Sequence, residues 1–263
     1  MKKLFKMSAV ILFVLIVFSA CGRNESVSGK ITSFPPYGER VVTAIGDSIA
    51  AGYGLESQED NYLTLFSENI GAVLNNDAVS GYDSGEVLKS LSDEKTAADI
   101  KNADAIVVSV GGNDFFHRKD IMIDALKNAL LHGEGFFPEE VTNIYDEYEK
   151  NLSRIIDEIK NMNPDAYIIV QTVYNPFLKQ TLNFSYINVG KTANRYVTRL
   201  NDSIKNVCKT KNRVFVFDVA PEMNEDAENF YGTDEKLDIH PTKHGHATLA
   251  RVFTEKFNGL LKD

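Results

Sequence analysis

The sequence is poor in cysteine, in histidine and in positive charge, and these shortages exclude several classes of function. Its 263 residues include two cysteines and five histidines, and the net charge is −9. An acidic chain does not attract the phosphate backbone of nucleic acid or an anionic lipid surface. Internal repeats and low-complexity blocks are also missing. We therefore expect no nucleic-acid partner and no repeat architecture.

The N-terminal segment carries the features of an export signal. Three lysines precede an apolar stretch over residues 9–18, and Ser19-Ala20-Cys21 follows that stretch. The stretch is shorter than the ~20 residues that a membrane-spanning helix needs, and small residues after it are typical of a cleavage site. We interpret residues 1–20 as a signal peptide, with an uncleaved N-terminal anchor as the alternative.

Cys21 makes this segment resemble the signal of a bacterial lipoprotein, although Phe18 stands where leucine is usual. The resemblance implies lipid attachment at Cys21, and therefore a membrane-anchored protein at the extracytoplasmic face. A lipidated Cys21 cannot pair with Cys208, the other cysteine, so no intrachain disulfide is expected. Cys208 falls on an apolar helical stripe and is interpreted as a small buried hydrophobic residue.

The rest of the chain divides into a tether and a domain. Residues 21–40 are polar and rich in Gly, Pro and Ser, which is typical of a flexible linker. Residues 41–263 alternate short apolar runs with helical patterns. The runs that we predict as strands lie at 41–45, 72–79, 105–110, 166–173 and 213–219. Continuous apolar runs indicate strands that are covered on both faces, so we predict an α/β fold with a mainly parallel five-stranded sheet between helices.

In such sheets function is found at the carboxyl ends of the strands. Ser48 follows the first predicted strand, Gly81 the second and Asn113 the third, while His240 precedes the last helix. Ser48 lies in a turn of small residues, and three roles are open to it. It can cap the next helix, belong to a phosphate-binding loop or act as a nucleophile. A nucleophilic serine would need a base and donors for an oxyanion.

The base must come from the few histidines. His117 and His132 are expected at the surface. His240 precedes Pro241, which favours the first helical position, and we expect His240 at the mouth of the last helix. His244 and His246 follow closely, and three histidines in seven residues raise the alternative of a metal site. Their spacing does not place the three on one helix face, so we expect no metal.

A carboxylate should orient the base, and backbone or amide N–H groups should bind the oxyanion. Asp238 is the nearest carboxylate to His240, with Asp234 and Glu235 further back. Gly81 allows close approach of backbone, and Asn113 supplies an amide donor.

Four segments together resemble the GDSL/SGNH hydrolases: GDSIAAGYG, SGYDSGEVL, GGND and DIHPTKHGH, in that order from residue 46 to residue 246. The resemblance implies a flavodoxin-like three-layer α/β/α sandwich, with Ser48 as nucleophile and His240 as base. It also implies an oxyanion hole made by Ser48, Gly81 and Asn113, and no cofactor.

The acid is the point where the chain departs from that family. The family usually has its acid three residues before the histidine, where this chain has Leu237. Asp238 is our candidate acid, and Asp234 or a backbone carbonyl is the alternative. Asp114, next to Asn113, is expected to brace its loop and not to touch substrate.

The substrate is harder to predict. The resemblance implies a serine ester hydrolase that acts on acyl esters, with a carbohydrate O-acetyl esterase of cell-wall polymer as the alternative. A non-catalytic binding lipoprotein is a third hypothesis. Two segments, 115–138 and 175–189, look like insertions at the active-site end. Their apolar residues would either line an acyl groove or pack the insertions onto the body. The oligomeric state stays open.

Overall fold

The computed structural model describes residues 30–31, 33–132, 137–179, 183–184, 187–231 and 238–261. A central sheet of five parallel strands carries the fold. Its strands are β1 Arg40–Gly46, β2 Ala72–Asn76, β3 Ala105–Ser109, β4 Tyr167–Gln171 and β7 Val214–Phe217, and their order in the sheet is β2-β1-β3-β4-β7. Because all strands are parallel, their carboxyl ends share one edge of the sheet.

Helices connect the strands. They are α1 Ser48–Ala51, α2 Tyr62–Asn69, α3 Ser84–Ser90, α4 Glu94–Asn102, α5 Gly112–Phe116, α6 Lys119–His132, α7 Glu139–Met162, α8 Val189–Cys208, α9 Ala220–Glu225 and α10 Lys243–Leu260. A small antiparallel pair, β5 Asn183–Phe184 and β6 Ile187–Asn188, lies apart from the main sheet. Within the described residues, no helix combines the length and the apolar character needed to cross a bilayer.

The core has two halves, one on each face of the sheet. Ile106 and Val108 of β3 pack with α3, α4, α7 and α8, whereas Ala105 and Val107 pack with α2, α9 and α10. This alternation along a strand buried on both faces is what a covered parallel sheet requires. The predicted α/β/α fold with its five-stranded parallel sheet is therefore confirmed, and the predicted strands differ from the observed ones only at their ends.

The C-terminal part of the predicted tether contacts the domain. Ile31 is buried, and its N–H donates to the carbonyl of Leu260 at 2.8 Å. The ring of Phe34 lies against Tyr167, at the start of β4, and Phe257. The chain thus enters the packed domain at the amino end of the sheet, opposite the carboxyl edge where β1 ends. Cys21 and the signal segment lie outside the described residues.

The two predicted insertions contain structure of their own. The segment 115–138 holds α6, and 175–189 holds a turn and the β5–β6 pair. Asn175 anchors the second segment, since its side-chain amide donates to the carbonyl of Gly190 at 2.8 Å. Phe137 packs edge-on against Tyr145 and Tyr196. Phe136, Leu182 and Tyr186 lie outside the described residues.

Candidate active site

Ser48 is the first residue of the short helix α1, directly after β1. The side chain of Asp47 caps this helix by accepting from the Ile49 N–H at 3.0 Å. Ser48 is therefore not the cap, so its hydroxyl is available for other contacts. Its backbone N–H lies in the first helical turn, where N–H groups have no partner within the helix.

Gly46 explains why the turn is built from small residues. Its φ is +152°, and a Cβ at this position would lie 2.1 Å from the carbonyl oxygen of Ser109 in β3. A side chain at residue 46 would therefore push β1 and β3 apart, directly before the serine. The N–H of Asp47 also donates to the Ser109 carbonyl at 3.0 Å, which continues the pairing up to Ser48.

His240 contacts both Ser48 and Asp238. The distance from His240 Nε2 to Ser48 Oγ is 3.0 Å, and from His240 Nδ1 to Asp238 Oδ1 it is 2.7 Å. Because a carboxylate only accepts, Nδ1 carries the hydrogen and Nε2 accepts from the serine hydroxyl. Asp238 Oδ1 also accepts from the His240 backbone N–H at 2.9 Å. A serine, an imidazole and a carboxylate are thus connected in a hydrogen-bonded row.

The last helix begins further along the chain than we expected, so the loop that holds His240 is longer. Helix α10 begins at Lys243 with Thr242 as its cap, so the prediction that Pro241 takes the first helical position is wrong. Thr242 supplies the cap, since its hydroxyl accepts from the Gly245 N–H at 3.1 Å, and Pro241 forms an isolated β-bridge with Phe230.

The ring of Tyr53 lies over the ring of His240, with 4.6 Å between the two centroids. Tyr53 is itself exposed, whereas the His240 side chain is mostly buried. An aromatic ring at this distance contacts the imidazole directly and adds a packing restraint to the bonds that Asp238 makes.

The neighbouring histidines have separate partners. His244 is exposed and pairs with Asp226 at 3.0 Å. His246 is fully buried, and its Nδ1 accepts from the Tyr62 N–H at 3.2 Å. Burial lowers the pKa of His246 to about 4, which keeps this imidazole neutral. His240, His244 and His246 therefore do not converge on one point where a metal ion could bind.

Hydrogen bonds bring the segments of Gly81 and Asn113 towards the end of β1, where Ser48 lies. After β2 ends, the Val79 N–H still donates to the carbonyl of Gly46 at 3.0 Å, so the chain reaches Gly81 beside the end of β1. Gly81 has a φ of +90°, a conformation that favours glycine. The Asn113 amide donates to the carbonyl of Tyr82 at 2.9 Å, which leaves its second N–H for another acceptor.

Asp114 fastens the segments of Gly81 and Asn113 together. Its carboxylate accepts from both the hydroxyl and the backbone N–H of Ser84, at 2.5 and 3.1 Å. Burial raises the pKa of Asp114 to about 6. The carboxyl group therefore braces the loop, as expected, and does not face an open site.

Asp47 is a second buried carboxyl group at this edge. Burial, with a smaller contribution from the negative charge of Asp114, raises the pKa of Asp47 to about 7, against the lowering effect of the Ile49 N–H. Asp47 is thus only partly charged at neutral pH. A full negative charge at this position would oppose the formation of an oxyanion close by.

An apolar cavity of about 640 Å³ opens beside Ser48 and Asn113. This volume is within the range of small-molecule sites. Side chains from three parts of the chain line it, namely the α5–α6 segment, the loop after β4 and helix α8. They include Phe115, Met122, Ile123, Val173, Phe177, Ala193, Val197 and Leu200. Both insertions therefore contribute to the cavity as well as to packing.

Several contacts escaped sequence reasoning. The cap made by Asp47, the carbonyl of Tyr82 that holds Asn113, and the ring of Tyr53 over His240 are examples. An aspartate before the first helical residue is a recognisable cap signal, so that contact could have been found from the sequence.

The bonds of His240 favour one of the candidate acids. Among the described carboxylates, Asp238 is the one that bonds to the His240 ring. Asp234, Glu235 and Leu237 lie outside the described residues. The candidate acid is therefore in contact with the base although it stands one residue from the usual family position.

Comparisons with known proteins show the family and the fold of the chain. The family model described as GDSL-like Lipase/Acylhydrolase matches residues 44–248. The uncharacterized protein YpmR of Bacillus subtilis is 25% identical over 270 residues, covering 99% of each chain. The spore germination lipase LipC of Bacillus licheniformis is 23% identical over 227 residues, or 84% of this chain and 97% of its own. The structure of the lipase Lip_vut3 from goat rumen metagenome superposes with a TM-score of 0.64 at 19% identity, covering 82% of this chain and 96% of that one.

Proposed function

The chain belongs to the GDSL-like lipase/acylhydrolase family, and from this premise we propose that it is a serine esterase that cleaves esters of apolar acyl groups. The family indicates esterase or lipase activity. The observation that carries the finer proposal is the hydrogen-bonded row of Ser48, His240 and Asp238 beside an apolar cavity.

The reaction begins with attack of Ser48 Oγ on the ester carbonyl. His240 Nε2 takes the hydroxyl proton as the C–O bond forms, and Asp238 stabilises the resulting imidazolium. His240 then gives this proton to the leaving alcohol oxygen, which leaves an acyl-serine. Water, deprotonated by His240, attacks the acyl-serine and returns the enzyme with release of the acid.

The tetrahedral oxyanion would accept from three donors, namely the N–H groups of Ser48 and Gly81 and the free amide N–H of Asn113. Two of these donors are fixed before the reaction, since α1 is capped by Asp47 and Asn113 is held by the Tyr82 carbonyl. Preorganised donors need no rearrangement while charge develops, and each is typically worth about 10² to 10³ in rate.

The cavity favours an acyl chain over an acetyl group. An acetyl group would fill a small fraction of about 640 Å³ and leave the aromatic lining uncovered. Burying a longer chain gains about 0.8 kcal/mol for each CH₂ removed from water. Of the two substrate hypotheses, acyl ester and acetylated glycan, the first therefore agrees better with the site.

The test compares wild type with Ser48→Ala on p-nitrophenyl esters from acetyl to palmitoyl. We expect a Ser48-dependent rate that rises from acetyl to medium-length chains. Equal rates in both proteins, or no hydrolysis in either, would contradict the hydrolase and favour a binding lipoprotein. A strict preference for acetyl would instead support the carbohydrate deacetylase.

We further propose that the mature protein is anchored by lipid at Cys21 on the extracytoplasmic face. The chain from Cys21 to Lys30 reaches at most about 30 Å. The packed chain begins at the amino end of the sheet, so a short tether would direct Ser48 away from the membrane. Substrates that leave the bilayer as single molecules fit this arrangement.

Palmitate labelling tests the anchor. Wild type should incorporate labelled palmitate and partition with membranes, whereas Cys21→Ala should do neither. Cys208→Ala is the matched control, because Cys208 is fully buried and its loss should leave the labelling intact. Labelling that persists in Cys21→Ala would remove the lipoprotein proposal without affecting the esterase.

A further inference from the structure

Three neighbours contact the imidazole of His240, and they restrain it in different ways. Asp238 and Ser48 bond to its two ring nitrogens, at 2.7 and 3.0 Å. The nitrogens of an imidazole bind at the edge of the ring. Tyr53 instead lies over the ring, with 4.6 Å between the two centroids and 41° between the two planes. Tyr53 therefore restrains the tilt of the imidazole about the line through its two bonds.

One of these two bonds changes during the proposed reaction. Once Ser48 Oγ is acylated, it has lost the hydrogen that it donates to His240 Nε2 in the resting enzyme. The bond to Asp238 and the contact with Tyr53 then remain to direct Nε2 at the leaving alcohol and, later, at the attacking water. A general acid or base must be held within about 3 Å of the oxygen that it serves. The contact with Tyr53 is thus most useful after the first proton transfer.

Water limits the support that Asp238 gives to a charged imidazole. The side chain of Asp238 is 37% exposed, whereas that of His240 is 18% exposed. Attraction between charges that water reaches is weakened by screening. The same oxygen of Asp238 also accepts from the His240 backbone N–H. A second group that favours the imidazolium would therefore stabilise the tetrahedral intermediate, in which His240 is charged.

The backbone fixes the position of Tyr53 relative to the serine. The Tyr53 N–H donates to the Ser48 carbonyl at 3.0 Å, where the chain leaves α1. Asn61 is fully buried, and its side-chain amide donates to the carbonyl of Ala50 in α1, also at 3.0 Å. These bonds attach the segment of Ser48 and Tyr53 to the body of the domain. The ring of Tyr53 is thus presented to His240 by the same short segment that presents the nucleophile.

We propose that Tyr53 is a positioning residue for His240, whose ring keeps Nε2 directed at the reacting oxygens and stabilises the imidazolium of the tetrahedral intermediate. An aromatic ring attracts a cation that lies within about 6 Å of its centroid, and the His240 ring lies inside this distance. This inference rests on the proposed esterase function and adds a residue to its serine, base and acid. The contribution belongs to the ring, so phenylalanine should replace tyrosine at this position.

The leaving alcohol offers a way to isolate this contribution. Ethanol leaves readily only if His240 gives its oxygen a proton, whereas p-nitrophenol leaves readily as its anion. The breakdown of the intermediate, with a fully charged imidazole, therefore limits the rate more for an ethyl ester than for a p-nitrophenyl ester. Esters of the same acid with these two alcohols place the same acyl group in the cavity. Their comparison thus separates proton donation from acyl binding.

The test measures kcat/KM for ethyl octanoate and for p-nitrophenyl octanoate. Tyr53→Leu should lower kcat/KM at least about tenfold for the ethyl ester and about threefold or less for the p-nitrophenyl ester. Tyr53→Phe should stay within about twofold of wild type on both esters, since it keeps the ring. Tyr231→Leu is the matched control. This partly exposed tyrosine bonds to the carbonyl of Gly54 at 3.5 Å and not to His240, so its loss should change neither rate.

Equal losses on the two esters in Tyr53→Leu would overturn the inference, as would a loss in Tyr53→Phe as large as that in Tyr53→Leu. A rise in KM alone would also contradict it, because Tyr53 would then contact the alcohol of the substrate and not position the base. The ratio of the two rates in one sample does not depend on how much of the variant is folded. Failure of the esterase proposal would appear separately, as hydrolysis that persists in Ser48→Ala. Hydrolysis that depends on Ser48 but not on Tyr53 would overturn this inference alone.

Discussion

The two walls of the site are built in different ways. The catalytic wall consists of Ser48, Gly81, Asn113 and His240. Hydrogen bonds made by these residues, or by residues next to them in the chain, hold this wall in place. The cavity wall consists of apolar side chains from the α5–α6 segment, the loop after β4 and helix α8, which meet only in the folded protein. We infer that the first wall carries the chemistry and the second selects the acyl group, so changes to the two should have separable effects.

Loss of the base should have the largest effect. His240→Ala removes the group that accepts the Ser48 proton, and we expect kcat/KM to fall by on the order of 10⁴ for every ester. Because the cavity is untouched, the relative preference among acyl chains should survive in the residual activity. His244→Ala is the control, since His244 is exposed and bonded to Asp226, and its rate should stay within about twofold. A comparable loss in the control would argue against His240 as the base.

Asn113→Ala, a change in the same wall, should lower the rate less than His240→Ala does. It removes one oxyanion donor, which typically lowers kcat by about 10² to 10³ and leaves KM little changed. Asn151→Ala is a matched change nearby, because Asn151 donates to Ser84 and not to the site. If KM rises and kcat is constant, Asn113 binds substrate in its ground state and is not an oxyanion donor.

Filling the cavity should change the selection of the acyl chain and leave the rate on short esters unchanged. Ala193 is half-buried on α8 and lines the cavity, so Ala193→Phe shortens the space for an acyl chain. We expect kcat/KM for long-chain esters to fall at least about tenfold, while acetyl esters stay within about twofold. Thr198→Phe places the same ring on the exposed face of the same helix and should change neither. Equal losses for short and long esters would show that the two walls are not separable.

The contrast between the walls also explains what could be predicted from the sequence. The sheet was recognisable because its strands other than β2 are short apolar runs, and the parallel order brings Ser48 and Asn113 to one edge. Ser48 and His240 could be proposed together from the sequence because few residue types perform this chemistry and each occurs next to a turn, and the structure brings the two into contact. The cavity was predictable only in part, because the two insertions offered apolar residues that would line a groove or pack onto the body. Which of the two occurs depends on how α5, α6 and α8 pack across the whole chain.

Some local contacts were also beyond the reach of a pattern. The preference of proline for a helix start fails at Pro241, where Thr242 provides the cap and the proline pairs with Phe230. The pairing of Asn113 with the Tyr82 carbonyl joins two loops that no sequence spacing relates.

The sequence left open which carboxylate orients His240, and the reason is similar. Asp238 lies one residue from the usual family position, and its bond to His240 depends on how the loop turns. The turn lets one carboxylate oxygen accept from both the backbone N–H and the ring of the same histidine. A sequence spacing alone does not specify such a turn.

The smallest expected effect concerns the stability of the catalytic wall and not its rate. Asp47 has a pKa of about 7 in the folded protein, raised first by burial, and Asp114 adds to the shift. The folded state therefore holds the Asp47 proton more tightly than the unfolded chain, whose carboxyl titrates near 4. Linkage then requires the contribution of Asp47 to the free energy of unfolding to decrease as the pH rises from about 4 to about 7.

Asp47→Asn should remove that decrease while keeping the cap, because the amide oxygen can still accept from the Ile49 N–H. Relative to wild type, the variant should gain stability between about pH 5 and pH 8, by a few kcal/mol at most, in urea titrations at each pH. Asp47→Ala should show the same pH trend with a constant loss of about 1 kcal/mol from the missing cap. If the free energy of unfolding changed with pH in the same way in wild type and in Asp47→Asn, Asp47 would already be charged in the folded protein at about pH 5. The oxyanion would then form beside a full negative charge, and the catalytic wall would need another source of electrostatic support.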